Sequence, residues 1–312
     1  MTTAGTPIDL TGDPRRRRRE TVVAALFRLA GVLSILISVA IIASLVGEAW
    51  NFISGLAADG DLGALWTVGW FPRRGLYDIP TILIATVVIA LVGCAVAVPL
   101  GLGAATFLSE YAGDRLRRRL KPTIEILAGI PSVVLGFWAL AFISPELVQR
   151  IFPSAGTFSM MAAGIGVGIL VTPLVATVSE DAMRAVPLEL RAASYGLGAD
   201  RATTVRKVVI PAALSGIVAS VILALSRAIG ETMIVFMAAG AVGGSLRTFD
   251  VLGPGQTMTA AIASLATGSD QVAGVGLSFQ SLFFVGLLLF LLTLLMNWLG
   301  TRFVRRFRER YR

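Results

Sequence analysis

In the stretch SGIVASVILALSRAIGETMIVFMAAGA, running from Ser215 to Ala241, Arg227 and Glu231 are the only charged residues. Four residues apart on a helix, they share a face and can pair. An isolated charge at the centre of a membrane helix costs about 2.5–3.5 kcal/mol, so such residues turn toward a bundle interior or a wet path. Arg227 can offer a guanidinium to an oxyanion. Glu231 would then hold it in place and keep it from trapping that anion, with Ser226 and Thr232 as further hydroxyl donors. A structural salt bridge between helices is the alternative that the same spacing allows.

Other chemistry is sparse. The chain contains no histidine, which removes the usual general base, the triads built on it and every His-containing metal motif. No G-x-x-x-x-G-K-[ST] phosphate loop occurs, so any nucleotide hydrolysis must come from another polypeptide. The single cysteine, Cys94, lies in an apolar run and reads as packing. No catalytic residue and no metal ligand set is expected.

The elements that position Arg227 and Glu231 must be membrane helices. Of the 312 residues 55% are hydrophobic and 15% charged, with a mean hydropathy of +0.80. Runs of bilayer-crossing length fall at about 24–46, 79–108, 122–143, 158–178, 212–240 and 278–300. They predict an all-α, polytopic protein with six transmembrane helices in one domain over 21–312, preceded by a disordered basic segment over 1–20. The first run is too long for a signal-peptide core and is expected to stay as a helix.

Basic residues gather in alternate connections: Arg15 to Arg19, Arg115 to Lys121, Arg184 to Lys207, and the tail from Arg302 to Arg312. This positive-inside pattern predicts both termini in the cytoplasm. It also accounts for the net charge of +8 by topology and lipid headgroups, without nucleic acid. Trp50, Phe52, Trp66, Trp70 and Phe71 in the first outer loop predict a stretch lying along the membrane interface. Gly164 and Gly168 form a small-xxx-small pair that favours close helix packing, and Pro99, Pro131 and Pro173 predict kinks. Glu125 is expected to pair with Lys121 one turn before it.

Between the fourth and fifth runs, residues 179–211 are neither membrane-like nor a simple turn. Pro187 can open a short helix through Ser194, Gly198 breaks it, and Asp200 can cap a second helix. This loop resembles that of the binding-protein-dependent ABC permeases, whose signature is E-A-A, three residues, G, nine residues, I-x-L-P. The pattern falls on Ala192, Ala193 and Ser194, then Gly198, then Val208, Ile210 and Pro211, with Ala192 standing where the family has glutamate. The resemblance implies a type I ABC importer permease fold and a loop that docks in a groove of an ATP-hydrolysing subunit. Small residues at 192–194 and 198 suit close docking, and Arg191, Arg201 and Arg206 could pair with acidic groups there.

A narrower resemblance rests on Arg227-Ala228-Ile229-Gly230-Glu231-Thr232, on Val98 to Ala105, on Leu108 to Tyr111 and on Lys121 to Val134. These segments are similar to the phosphate-importer permeases of the PstC and PstA type. They imply transport of inorganic phosphate with no cofactor in this chain, ATP and Mg being bound by the partner ATPase. The implied partners are a PstA-like second permease subunit, a PstB-like ATPase dimer, a PstS-like external phosphate-binding protein and membrane lipid, in a bacterial inner membrane. Another oxyanion, such as phosphonate or sulfate, and a membrane sensor that signals through the same loop are the alternatives.

Overall fold

Among the described residues, six helices are long and apolar enough to cross a membrane. The computed structural model describes residues 14–66, 69–240, 247–267 and 276–308, with side chains placed over 19–66, 69–240, 247–267 and 276–302. Helix α1 (Pro14–Ala58) begins inside the segment expected to be disordered. From Pro14 onward that segment is helical, and residues 1–13 lie outside the described residues. Most of α1 is exposed, and its main neighbour is α10 (Gly276–Arg308), so it lies on the rim of the bundle.

The centre is the packing of α2 (Ile79–Tyr111) on α5 (Met160–Arg184). With lipid outside, burying apolar surface does little to drive helices together, and close backbone approach takes over. A Cβ on Gly164 would lie 2.5 Å from Val92 Cγ1, and one on Gly168 would lie 2.8 Å from the Gly93 carbonyl oxygen. The small-xxx-small pair is therefore the contact seam itself. Ser159 starts α5 by accepting the Ala162 amide at 3.1 Å, a side-chain cap on an otherwise orphaned donor.

The third run is divided differently from the expected 122–143. Helix α3 (Asp114–Leu127) stops, a turn spans 128–131, and α4 (Ser132–Ile151) makes the crossing. Pro131 disfavours helical geometry at Ile130 and separates the two. No residue of α3 is buried, and it presents Arg115, Arg118 and Arg119 outward as a surface helix. Helix α4 widens to π-type turns over Ala139–Val148, around Pro145, whose ring cannot donate to the ladder.

Helix α6 (Leu188–Gly196) and the start of α7 (Arg201–Ile229) form the anticipated helix, glycine turn and helix. Gly198 takes φ +81°, open to glycine at little cost, and Asp200 accepts the Thr203 amide at 2.9 Å. A widened turn over Val205–Val209 precedes Pro211. The fifth run ends sooner than 240. Helix α7 stops at Ile229, residues 230–232 are non-helical, and a short helix, α8 (Met233–Val235), resumes and widens over Phe236–Gly240. Gly136 of α4 admits this break, since a Cβ there would sit 2.9 Å from the Met233 carbonyl oxygen.

The aromatic loop is not spread along the interface as expected. Phe52 and Trp70 are buried with Tyr77 and Met258 in a second core, Phe52 meeting Tyr77 edge-on at 4.9 Å between ring centres. A two-residue hairpin, β1 (Trp70–Phe71) with β2 (Leu76–Tyr77), holds it over α9 (Met258–Ala266) and α10. Trp50 and Trp66 remain exposed.

Candidate functional site

Arg227 occupies the last turn of α7, level with the middle of α5. It lines a cavity of about 380 Å³ together with Glu125 and Ala128 at the end of α3 and Pro173, Leu174 and Thr177 of α5. The pairing with Glu231 does not form. Gly230 caps α7, so Glu231 lies beyond the helix, and the one-turn geometry that would bring it under Arg227 is lost. The Glu231 carbonyl oxygen instead accepts the Thr259 hydroxyl at 2.7 Å, tying the break to α9.

The two expected hydroxyl donors also point elsewhere. Ser226 donates to Asn297 Oδ1 on α10 at 3.0 Å, and Thr232 reaches only the Gly230 carbonyl oxygen at 3.4 Å. The structure thus brings Arg227 together with Glu125 and Thr177, not with Ser226, Glu231 and Thr232. An uncompensated guanidinium in a cavity walled by Pro173 and Leu174 is suited to holding an oxyanion through charge-assisted hydrogen bonds.

On the loop, Ala192 and Ala193 are exposed on α6, while Ser194 bonds Thr204 at 2.9 Å and closes the turn. Leu188 and Leu197 are 75% and 90% exposed, an apolar crest that solvent alone would not favour. Arg206 is exposed, Arg201 lies over the Tyr111 ring at 5.5 Å, and Pro211 is half-buried in α7. Arg191 departs from expectation because it faces inward. It donates to Glu110 Oε1 at 3.0 Å, to the Met183 carbonyl oxygen at 2.9 Å and to that of Val186. It therefore closes the carbonyl end of α5 and is not free for an external acid.

Sequence reasoning missed Glu180. Its side chain is fully buried; Arg117 Nε lies 2.7 Å from Oε1, and Lys121 Nζ lies 2.8 Å from Oε2 as an ion pair outside hydrogen-bond alignment. Lys121 also meets Asp181 at 2.8 Å, so it is not the partner of Glu125. Burial opposes the Lys121 charge, but the hydrogen bond to Asp181 and the charges of Glu180 and Asp181 outweigh it and raise its pKa. The signal was present: Arg117 and Lys121 share one face of α3, and Glu180 and Asp181 follow an apolar run.

On the far side, Asp78 accepts Arg247 at 2.8 Å, the Gly69 amide at 3.4 Å and the Thr81 hydroxyl. Burial works to raise its pKa, yet the bonds from Arg247, Thr81 and Gly69 prevail and hold it below the usual carboxylate value.

Comparison with known proteins places this geometry. The family described as "Binding-protein-dependent transport system inner membrane component" matches residues 97–309. The chain is 31% identical over 302 residues to the phosphate transport system permease protein PstC of Mesorhizobium japonicum, covering 89% of each. It is 31% identical over 301 residues to PstC of Haemophilus influenzae, covering 89% of this chain and 92% of that one. The probable ABC transporter permease protein YqgH of Bacillus subtilis is 36% identical over 179 residues, a match spanning 56% of this chain and 57% of YqgH. Among solved structures, an inward-facing form of the MetNI methionine ABC transporter aligns with a TM-score of 0.54 at 22% identity, covering 72% of this chain and 93% of that one, a likeness of fold. With six crossing helices, the loop helix between the fourth and fifth, and a family match over more than half its length, the chain belongs to the inner membrane components of binding-protein-dependent transport systems.

Proposed function

We propose that this chain is the membrane-spanning permease subunit of an ATP-driven importer that carries inorganic phosphate into the cytoplasm. The observation that carries the reading is Arg227, an exposed guanidinium with no ion-pair partner among the described residues, lining an open pocket between the end of α3, α5 and α7 beside a helix break. The similarity to PstC proteins over most of the chain supports phosphate as the anion. Moving one negative charge into a cell with an inside-negative potential costs about 2.3 kcal/mol per 100 mV, so import requires an energy source.

In this reading both termini are cytoplasmic, following the basic segments, and Leu188, Leu197, Ala192, Ala193 and Arg206 face a PstB-like ATPase dimer that binds ATP and Mg. A PstA-like subunit completes the pore, and a PstS-like protein delivers phosphate to the opposite face. The chain's own residues supply the path and the lever. Closure of the ATPase pushes α6, whose Arg191 passes the movement to α2 and α5, and Arg227 receives the anion as the helices reorient. Membrane lipid surrounds α1, and the exposed arginines of α3 meet lipid headgroups.

The test is labelled phosphate uptake by the assembled complex in proteoliposomes. Arg227→Gln is expected to abolish uptake while leaving co-purification with the ATPase intact. Normal uptake by this variant would end the proposal.

A further inference from the structure

Glu125 is a carboxylate in a place that a helix disfavours. It lies in the last turn of α3, where the carbonyl end carries partial negative charge and basic residues are preferred. The neighbour that would compensate it, Lys121, is held by Glu180 and Asp181. Among the described residues Glu125 has no ion-pair partner, and its side chain is exposed into the cavity that Arg227 also lines. Arg227, in turn, has lost the partner that its spacing suggested, because α7 ends before Glu231. Two opposite, uncommitted charges on different helices thus share one chamber.

The two charges are carried by separate elements, α3 and α7. The 128–131 turn joins α3 to α4 only through a non-helical stretch. Arg117 and Lys121 clamp α3 to Glu180 and Asp181 at the end of α5 that continues into α6. A displacement of α6 therefore reaches Glu125 through a short chain of ion pairs, whereas Arg227 rides on α7.

We infer that Glu125 is the releasing counter-ion of the pathway: when α3 closes on α7, its carboxylate takes the place of the bound phosphate on Arg227 and expels the anion on the side that bears α6. This rests on the phosphate reading above. A cation that binds an anion strongly enough to extract it from a carrier must be neutralised for release, and a carboxylate both replaces the hydrogen bonds and repels the departing anion. The hydroxyl of Thr177, on the same wall, offers the anion a further donor on its way out. Glu125 is a positioning residue for Arg227 and forms no covalent bond.

The experiment uses the complete complex in proteoliposomes and compares Glu125→Gln, Glu125→Asp and Arg227→Gln. It reads the rate of labelled phosphate uptake and the labelled phosphate that stays with the complex after rapid washing. Glu125→Gln is expected to slow uptake about tenfold, the lower range for losing a hydrogen bond between charged groups, and to retain phosphate that the parent releases. Glu125→Asp, which keeps the charge, should restore most of the rate. Parental uptake without retention in Glu125→Gln overturns the inference, as does a defect in both Glu125 variants without retained phosphate. Failure of Glu125→Gln to assemble also overturns it, since an unpaired carboxylate has no structural bond to lose. If Arg227→Gln transports normally, the phosphate reading itself fails. If Arg227→Gln is inactive and Glu125→Gln is parental, only the release step falls.

Discussion

Arg191 Nη2 lies 3.0 Å from Glu110 Oε1, joining the loop helix α6 to the end of α2 across 81 residues of sequence. The same guanidinium bonds the Met183 and Val186 carbonyl oxygens, so α6, α2 and α5 meet at one side chain. The loop is consequently a rigid extension of two crossing helices.

Replacing Arg191 should separate the loop from the bundle. Arg191→Ala leaves Glu110, 6% exposed, without its cation, and a loss of about 1–3 kcal/mol is expected for stranding a buried charged acceptor. In the assembled transporter, ATP hydrolysis should continue while phosphate uptake per ATP falls. Arg191→Lys, lacking the planar fork, should recover little of the coupling. Parallel measurement of hydrolysis and uptake checks both variants.

Glu180→Gln removes the anion that holds Arg117 and Lys121. Breaking a buried pair by deleting one partner costs about 3–5 kcal/mol; because Arg117 and Lys121 are 22% and 24% exposed, the lower end is expected. The thermal midpoint of the purified complex should fall, and protease should cut after Arg115, Arg118 and Arg119 sooner than in the parent. Glu180→Ala should be worse, since it adds a cavity.

The Asp78 bond to Arg247 predicts acid sensitivity on the far face. The Asp78 pKa is lowered in the folded protein, so its contribution is fully present above the unfolded value of about 3.9 and is lost as pH falls through the lower folded value. Fluorescence of Trp66, whose carbonyl oxygen accepts from Arg247, should report release of this contact under acid in a variant retaining Trp66 alone among the tryptophans. Asp78→Asn should show the released signal already at neutral pH, with a loss on the order of 1–3 kcal/mol in stability.

Gly164→Val tests the central seam. Its Cβ would meet Val92 Cγ1 at 2.5 Å, and the clash is against a branched side chain on a packed helix. Overpacking of this kind costs about 1–3 kcal/mol, expected here as a lower thermal midpoint. Val92→Ala in the same chain should restore part of it.

The helical class and the six crossings were legible because apolar length is a strong signal that survives without tertiary context. The shape of the 188–204 loop was equally readable from Pro187, Gly198 and Asp200. The breaks were only partly so: Pro131 marked a kink, but whether it would end a helix, and whether Gly230 to Thr232 would break another, depends on what packs beside them. Gly136, which makes room for Met233, is 97 residues from it in sequence. Side-chain partners were least accessible. Lys121 has Glu125 at helical spacing on its own helix, yet chooses Glu180 and Asp181 because α3 folds back onto α5.

The early stop of α7 bears on how Arg227 is kept without a carboxylate partner. The final carbonyl groups of a helix lack amide partners and together resemble about half a negative charge. Arg227 stands in that final turn, so the backbone itself offsets part of its field. Its charge is thereby retained between passengers without a permanent carboxylate mate. An anion arriving there meets an attraction already partly spent, which leaves less for a displacing carboxylate to overcome at release.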